Sequence, residues 1–140
     1  MTVVKASVRA YQMGFGDCFL LRLEYQDGRM RHVLFDFGTT ALQGEKAHAN
    51  KPRKRGEPSK RAAQQLKVAN DIAGRCGGVL DAIVATHRHE DHISGFATND
   101  AGTGPGDIIR KLKPKVVVQP WTENPDEARM GLMKRFSFSE

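Results

Sequence analysis

Apolar and polar positions alternate at the start of the chain. Val4, Ala6, Val8 and Ala10 are interleaved with Lys5, Ser7 and Arg9, the period of a strand that buries one face. Gly14-Phe15-Gly16-Asp17 breaks the pattern as a tight turn. Cys18 to Tyr25 is rich in strand formers, Asp27-Gly28 is a hairpin signal, and Arg31 to Phe37 reads as the returning strand. From Ala41 to Pro58 there is no periodicity, and positions 41–60 predict an exposed loop. Ser59 can cap a helix through about Ile72 with Ala62, Leu66, Ala69 and Ala73 on one side; Gly74 and Gly77-Gly78 end it. Leu80 to Thr86 is a short, nearly apolar strand suited to the middle of a sheet. An amphipathic segment from Asp107 to Leu112, a strand from Pro114 to Val118 and a helical segment from Asn124 or Asp126 toward Phe136 complete the order. Three strands followed by alternating helices and strands predict an α/β fold in a single domain over 1–140.

Composition narrows the class. The chain has 140 residues, 39% of them apolar and 27% charged, enough for a modest core and too apolar for a wholly disordered chain. No apolar run approaches the ~18 residues of a membrane span. The first residues lack the basic and apolar regions of a secretory signal, and Cys18 and Cys76 lie far apart without a Cys-x-x-Cys spacing. Both features fit a reducing, cytoplasmic location without disulfides. The formal charge of +6 is local: Ala41 to Lys67 carries eight basic residues against two acidic ones, and the remainder balances. Its densest part is Lys51-Pro52-Arg53-Lys54-Arg55, where Lys51, Arg53, Lys54 and Arg55 would attract phosphates, either of a substrate or of nucleic acid. No aromatic residue interrupts the cluster, so base stacking is not indicated. Gly14-x-Gly16 lacks the third glycine and the following helix of a dinucleotide fingerprint.

The candidate chemistry lies in Thr86-His87-Arg88-His89-Glu90-Asp91-His92, where three of the five histidines fall within six residues. They follow the predicted strand directly, at its C-terminal end, where α/β proteins place ligands. Extended backbone puts His87 and His89 on one side, and a turn into a helix swings Asp91 and His92 toward the same point. Imidazoles with a carboxylate form a nitrogen/oxygen set suited to zinc or another first-row divalent ion. Unligated imidazoles crowded beside carboxylates would bring no packing benefit.

The run His87-x-His89-x-Asp91-His92 resembles the signature of the metallo-β-lactamase superfamily. Val33 to Gly38 is similar to that family's strand ending in Asp-x-Gly, and Ala82 to Thr86 to the strand that delivers the motif. Gly14-x-Gly16-Asp17 is similar to the Gly-x-Gly-Asp segment of the branch containing competence-type DNA-uptake hydrolases. The resemblance covers about Val3 to Val118 and implies the N-terminal half of an αβ/βα four-layer sandwich. It implies that His87 and His89 bind one metal and Asp91 and His92 a second, with zinc, manganese or iron as candidates. It further implies hydrolysis of an ester, amide, thioester or phosphoester by a metal-bound hydroxide, with Asp91 orienting the water or relaying its proton. Asp36 would support the ligands from behind or simply begin an Asx-turn; Arg88 and Glu90 inherit no metal role.

The family's later histidines and bridging aspartate have no counterpart, since no histidine follows His92 and Asp100, Asp107 and Asp126 sit in no matching motif. Ser94-Gly95 stands where Gly-Gly is common. These departures predict a truncated domain, weak metal affinity, little turnover, and self-association through a sheet face that lacks its covering half. The alternative from another class is a non-catalytic nucleic-acid or anion-binding module acting through Lys46–Arg61. Chelator-sensitive hydrolysis supports the first reading; salt-sensitive binding indifferent to metal removal supports the second.

Overall fold

The structure, a computed structural model, describes residues 1–44 and 59–119. The basic cluster Lys51–Arg55 and the helical segment expected after Asn124 lie outside the described residues. The fold is α/β. Strands β1 (Val3–Ala10), β2 (Phe19–Tyr25) and β3 (Met30–Phe35) are followed by helix α1 (Lys60–Cys76) and strand β4 (Ala82–Val84). The one-turn helix α2 (Glu90–Ile93), a 3-10 turn at Ser94–Phe96, helix α3 (Pro105–Lys111) and strand β5 (Val116–Val118) follow. One mixed sheet holds the strands in chain order, antiparallel from β1 to β3 and parallel from β3 to β5.

Local chemistry accounts for the element boundaries. Gly28 takes a positive φ of 80° in the β2–β3 turn, where its N–H reaches the Tyr25 carbonyl at 2.9 Å. Ser59 caps α1 by accepting the Ala62 N–H at 3.0 Å. That helix runs past Gly74 to Cys76 and stops at left-handed Gly77, four residues beyond the expected end. Asp107, almost fully buried, accepts the N–H groups of Asn99 and Gly104, each at 3.0 Å, and fixes the entry to α3. Its role there is structural.

The two sheet faces differ. On one, Arg9, Leu20, Leu34, Ile83 and Val117 lie in register across the five strands, and α1 and α3 cover the central members of the row. Leu20, Leu34, Ile83, Val68, Ala69, Ile72, Ile109 and Leu112 form one core with Phe37 and Phe96, whose rings meet edge to face at 5.6 Å. On the other face two rows are apolar throughout: Val8, Leu21, Val33, Ala82, Val116 and Ala10, Phe19, Phe35, Val84, Val118. None of these ten residues is buried.

Three expectations are corrected. The alternation of β1 gives a strand but no buried side, since all eight of its residues are exposed. It is an edge strand whose apolar positions point to the uncovered face and whose polar ones, Ser7 and Arg9, point toward the helices. The buried stripe of α1 is also rotated. Gln65, Val68, Ala69, Ile72 and Cys76 are buried, whereas Leu66 is 37% exposed. Gln65 lies inward because its amide donates to the Ser94 hydroxyl at 2.9 Å. The strand expected over Leu80–Thr86 is reduced to Ala82–Val84, which pairs in parallel with β3 on one side and with the three-residue β5 on the other. Among the described residues no helix is long and apolar enough to cross a membrane. Cys18 and Cys76 are buried free thiols.

Candidate metal centre

The histidine run leaves β4 at the C-terminal edge of the parallel part of the sheet, beside the end of β3. Asp36 ends β3. Its N–H extends the ladder to the Val84 carbonyl at 2.9 Å, and its φ of 48° places it in the left-handed region that Asp tolerates better than most residues. Such a conformation is held in place by its surroundings. Here the Asp36 carboxylate accepts the Thr86 N–H on one oxygen and, on the other, the Thr86 hydroxyl, all at 2.7 Å, together with His92 Nδ1 at 2.9 Å.

Glycines let three backbone segments interlock behind the site. A Cβ on Gly38 would stand 2.6 Å from the Asp91 carbonyl carbon and oxygen and from the His92 nitrogen. One on Gly16 would stand 2.3 Å from the Gly38 oxygen and 2.6 Å from the Asp91 oxygen. At this approach the Asp17 N–H donates to Asp91 O at 3.1 Å, the Gly38 N–H to Asp17 O at 3.1 Å, and the Phe37 N–H to His92 O at 2.6 Å. The Gly-x-Gly-Asp and Asp-x-Gly segments are therefore the clamp that fixes where Asp91 and His92 leave the backbone. Ser94 tightens it: its hydroxyl accepts the Thr39 N–H at 2.9 Å and donates to the Thr39 carbonyl at 3.1 Å.

The hydrogen bonds also determine which imidazole nitrogen faces outward. A hydroxyl has one proton to donate, and Thr86 gives it to the Asp36 carboxylate. At the 3.0 Å contact with His87 Nδ1, Thr86 Oγ1 must then accept, so His87 carries its proton on Nδ1. His92 Nδ1 donates to Asp36 by the same logic. Both Nε2 lone pairs are left free for a ligand, the tautomer that metal-binding histidines have when a carboxylate or its relay holds the other nitrogen.

Ligand atoms of three side chains converge. His87, Asp91 and His92 each offer one atom within 4.8 Å of the others. His92 Nε2 lies 3.4 Å from Asp91 Oδ2, and the His87 and His92 ring centroids are 3.7 Å apart. Zinc held at 2.0–2.1 Å by two ligands at the tetrahedral angle separates them by about 3.4 Å. The residues present fit a divalent ion. His89 stands beside this trio, its ring edge-on to His87 at 4.7 Å, while its backbone forms the N-cap of α2 and accepts the His92 N–H at 2.9 Å.

Two members of the corner were not singled out by the sequence as site residues. Thr86 is the relay between Asp36 and His87. Asp17, read as a turn carboxylate, brings Oδ2 to 3.6 Å from His92 Nδ1. The signal for each was its place: Thr86 directly precedes the motif, and Asp17 ends the Gly-x-Gly-Asp turn. Glu90 points to solvent, 3.9 Å from Arg61 Nη1, and Arg61 also donates to the Thr40 carbonyl at 2.7 Å. Cys18 is no thiolate candidate, because burial first, then the Asp36 and Asp17 carboxylates, push its thiol far above the usual range. Of the other histidines, His32 lies in β3 and His48 outside the described residues.

No family model matches the chain, and neither a curated protein nor a solved structure matches it.

Proposed function

We propose that the corner binds one divalent first-row ion through His87 Nε2, His92 Nε2 and an Asp91 carboxylate oxygen, and that the chain is a metal-dependent hydrolase of the metallo-β-lactamase type. The observation that carries this reading is the convergence of the three donors within 4.8 Å. The bonds through Asp36 and Thr86 that turn both Nε2 atoms outward support it. Three protein donors with a position left open is the arrangement of catalytic rather than structural zinc. A bound ion would supply Lewis acidity and make water acidic enough to ionise near neutral pH. Asp36 and Thr86 hold the imidazoles in the ligating tautomer. Asp91, at 38% side-chain exposure, is open to solvent and is placed to take the proton of the attacking water. His89 borders the opening, and its position favours contact with substrate or with a second ion. The family kinship and the four-layer sandwich belong to this proposal, which rests on the motif and the clamp behind it.

The experiment is zinc titration by calorimetry on the wild type and on His92→Ala, followed by hydrolysis of bis(4-nitrophenyl) phosphate with and without chelator. Saturable zinc binding that falls about 100-fold in the variant, with slow turnover abolished by chelator, is the expected result. Equal zinc binding by both proteins overturns the metal site. Zinc binding without any chelator-sensitive turnover of ester, thioester or phosphodiester probes overturns the hydrolase.

A further inference from the structure

The sheet face opposite the helices has no role in the metal corner. Its two complete rows, Val8 to Val116 and Ala10 to Val118, hold ten apolar side chains and no charged one. Ala6 and Leu23 add part of a third row, which ends on Arg31. That charge is already compensated: Arg31 donates to Asp81 Oδ1, and Lys115 Nζ lies 3.4 Å from the same oxygen. An apolar centre with a polar border is the anatomy of a protein interface; a sheet face turned to water is polar. A nucleic acid or an anionic lipid surface finds no cation within these rows.

The size of the patch suits a protein partner. Five strands about 4.8 Å apart and three rows about 6.8 Å apart make an area of about 24 by 20 Å. Side-chain relief raises its accessible surface to on the order of 700 Å², close to the ~800 Å² that each partner brings to a standard interface. A monomer ordinarily shows apolar patches of only about 300–600 Å².

The order of side-chain sizes selects the partner. On β2 the two rows carry Leu21 and Phe19; on β4, equally far across β3, they carry Ala82 and Val84. A two-fold axis running parallel to β3 brings β2 of one copy over β4 of the other and sets each row against itself. Leu21 then stands over Ala82 and Phe19 over Val84, in both halves of the interface. Large against small is what lets two inner faces interdigitate at the ~10 Å spacing of packed sheets. At the margins β1 meets β5, so Val8, 66% exposed, faces Val116, 53% exposed. Val33 and Phe35, on the central strand, lie next to the axis and face their own counterparts.

We propose that this face docks a second copy of the chain in a two-fold dimer whose axis follows β3. The helices then lie outside both sheets, and two chains build four layers, α–β–β–α. Both metal corners, at the C-terminal ends of the parallel strands, come to the same end of the dimer. The assignment is independent of whether those corners bind metal.

The test is sedimentation equilibrium of the full chain in chelator, which removes bridging by metal ions. The wild type should dimerise with a dissociation constant at or below about 10 μM. Val8→Lys combined with Val116→Lys places charge where the single chain is already solvated, so the fold survives, but sets like charges against each other across the interface. Its dissociation constant should rise at least about 100-fold. Val8→Lys and Val116→Glu, each about tenfold weaker alone, should form a mixed dimer when combined, which neither misfolding nor unspecific adhesion produces. A Val33→Cys thiol reports on the face by its reaction with maleimide, since Cys18 and Cys76 are buried; the dimer should shield it. A chain that stays monomeric at about 100 μM overturns the proposal. If its Val33→Cys thiol is then shielded, the occupant is residues 120–140 of the same chain; if the thiol reacts freely, it is a different partner. A dimer indifferent to the two lysines, or a mixture that forms no mixed dimer, overturns it as well.

Discussion

The corner at the end of β3 and the pair Arg22 and His32, neighbours on β2 and β3, are both polar and both contain histidine, but they differ in who satisfies the nitrogens. In the corner the protein does so itself. His92 Nδ1 and Thr86 are held by Asp36, His87 Nδ1 by Thr86, and only the outward Nε2 atoms are left over. In the pair, Arg22 Nε and His32 Nε2 are buried without a hydrogen-bond partner. The corner is preorganised, so damage to its supports should propagate to the donors. The pair supports no donor, so damage there should alter stability and leave the metal ligands in place.

The largest expected break in this contrast is Gly38→Ala. The added methyl would meet backbone atoms of Asp91 and His92 at 2.6 Å, and backbone cannot swing aside as a side-chain tip can. About 3 kcal/mol of stability should be lost, together with zinc binding. Urea unfolding and calorimetry read the two effects. A variant as stable as the wild type would show that the three segments do not interlock as described.

Next is Asp36→Asn, which keeps the shape and tolerates the left-handed backbone but exchanges a carboxylate oxygen for an amide. The amide nitrogen would face the Thr86 hydroxyl and His92 Nδ1, the latter 2.9 Å from the oxygen it replaces. Both imidazoles would be driven to the wrong tautomer. Zinc affinity should fall about 10- to 100-fold while the fold survives. Nitrogen-15 chemical shifts of the two rings report the tautomer directly, and unchanged shifts would refute the relay. Thr86→Val sharpens the same point with a smaller effect. It frees His87 alone, so the His87 shifts should change, those of His92 should not, and affinity should drop about tenfold.

Within the described residues, the element order and the histidine run were legible in the sequence because each depends on neighbours in the chain. Alternation, Asp27-Gly28, Ser59 and Gly77 act locally, and their positions in the structure match. Features set by the third dimension were not legible. The period of β1 reveals two faces but not which one a helix will cover, and the helices cover the face of Ser7 and Arg9. The stripe of α1 was misplaced because Gln65, polar by type, is drawn inward by Ser94. Asp17 and Thr86 join the corner only because distant backbone segments approach closely enough to need glycine. The pairing of Arg22 with His32 required the β2–β3 register, which no single segment encodes.

The smallest effect is a pH dependence confined to His32. Burial holds His32 below its ordinary imidazole range, Arg22 adds to that depression, and Asp81 opposes it. The unfolded chain therefore binds a proton at this residue at higher pH than the folded chain does. Stability from keeping His32 neutral is fully present above the unfolded value of about 6.5 and is lost as pH falls below it, toward the folded value. Other groups contribute to the pH dependence, so the informative quantity is the difference between wild type and His32→Gln, which removes the imidazole and keeps a polar side chain. Measured by urea midpoint in chelator, the wild type should weaken more steeply below about pH 6.5, and the variant should be flatter there. Parallel curves would mean that His32 is as easily protonated folded as unfolded. Burying its unpaired Nε2 would then carry no cost in protonation, and the contrast with the corner would lose its energetic basis.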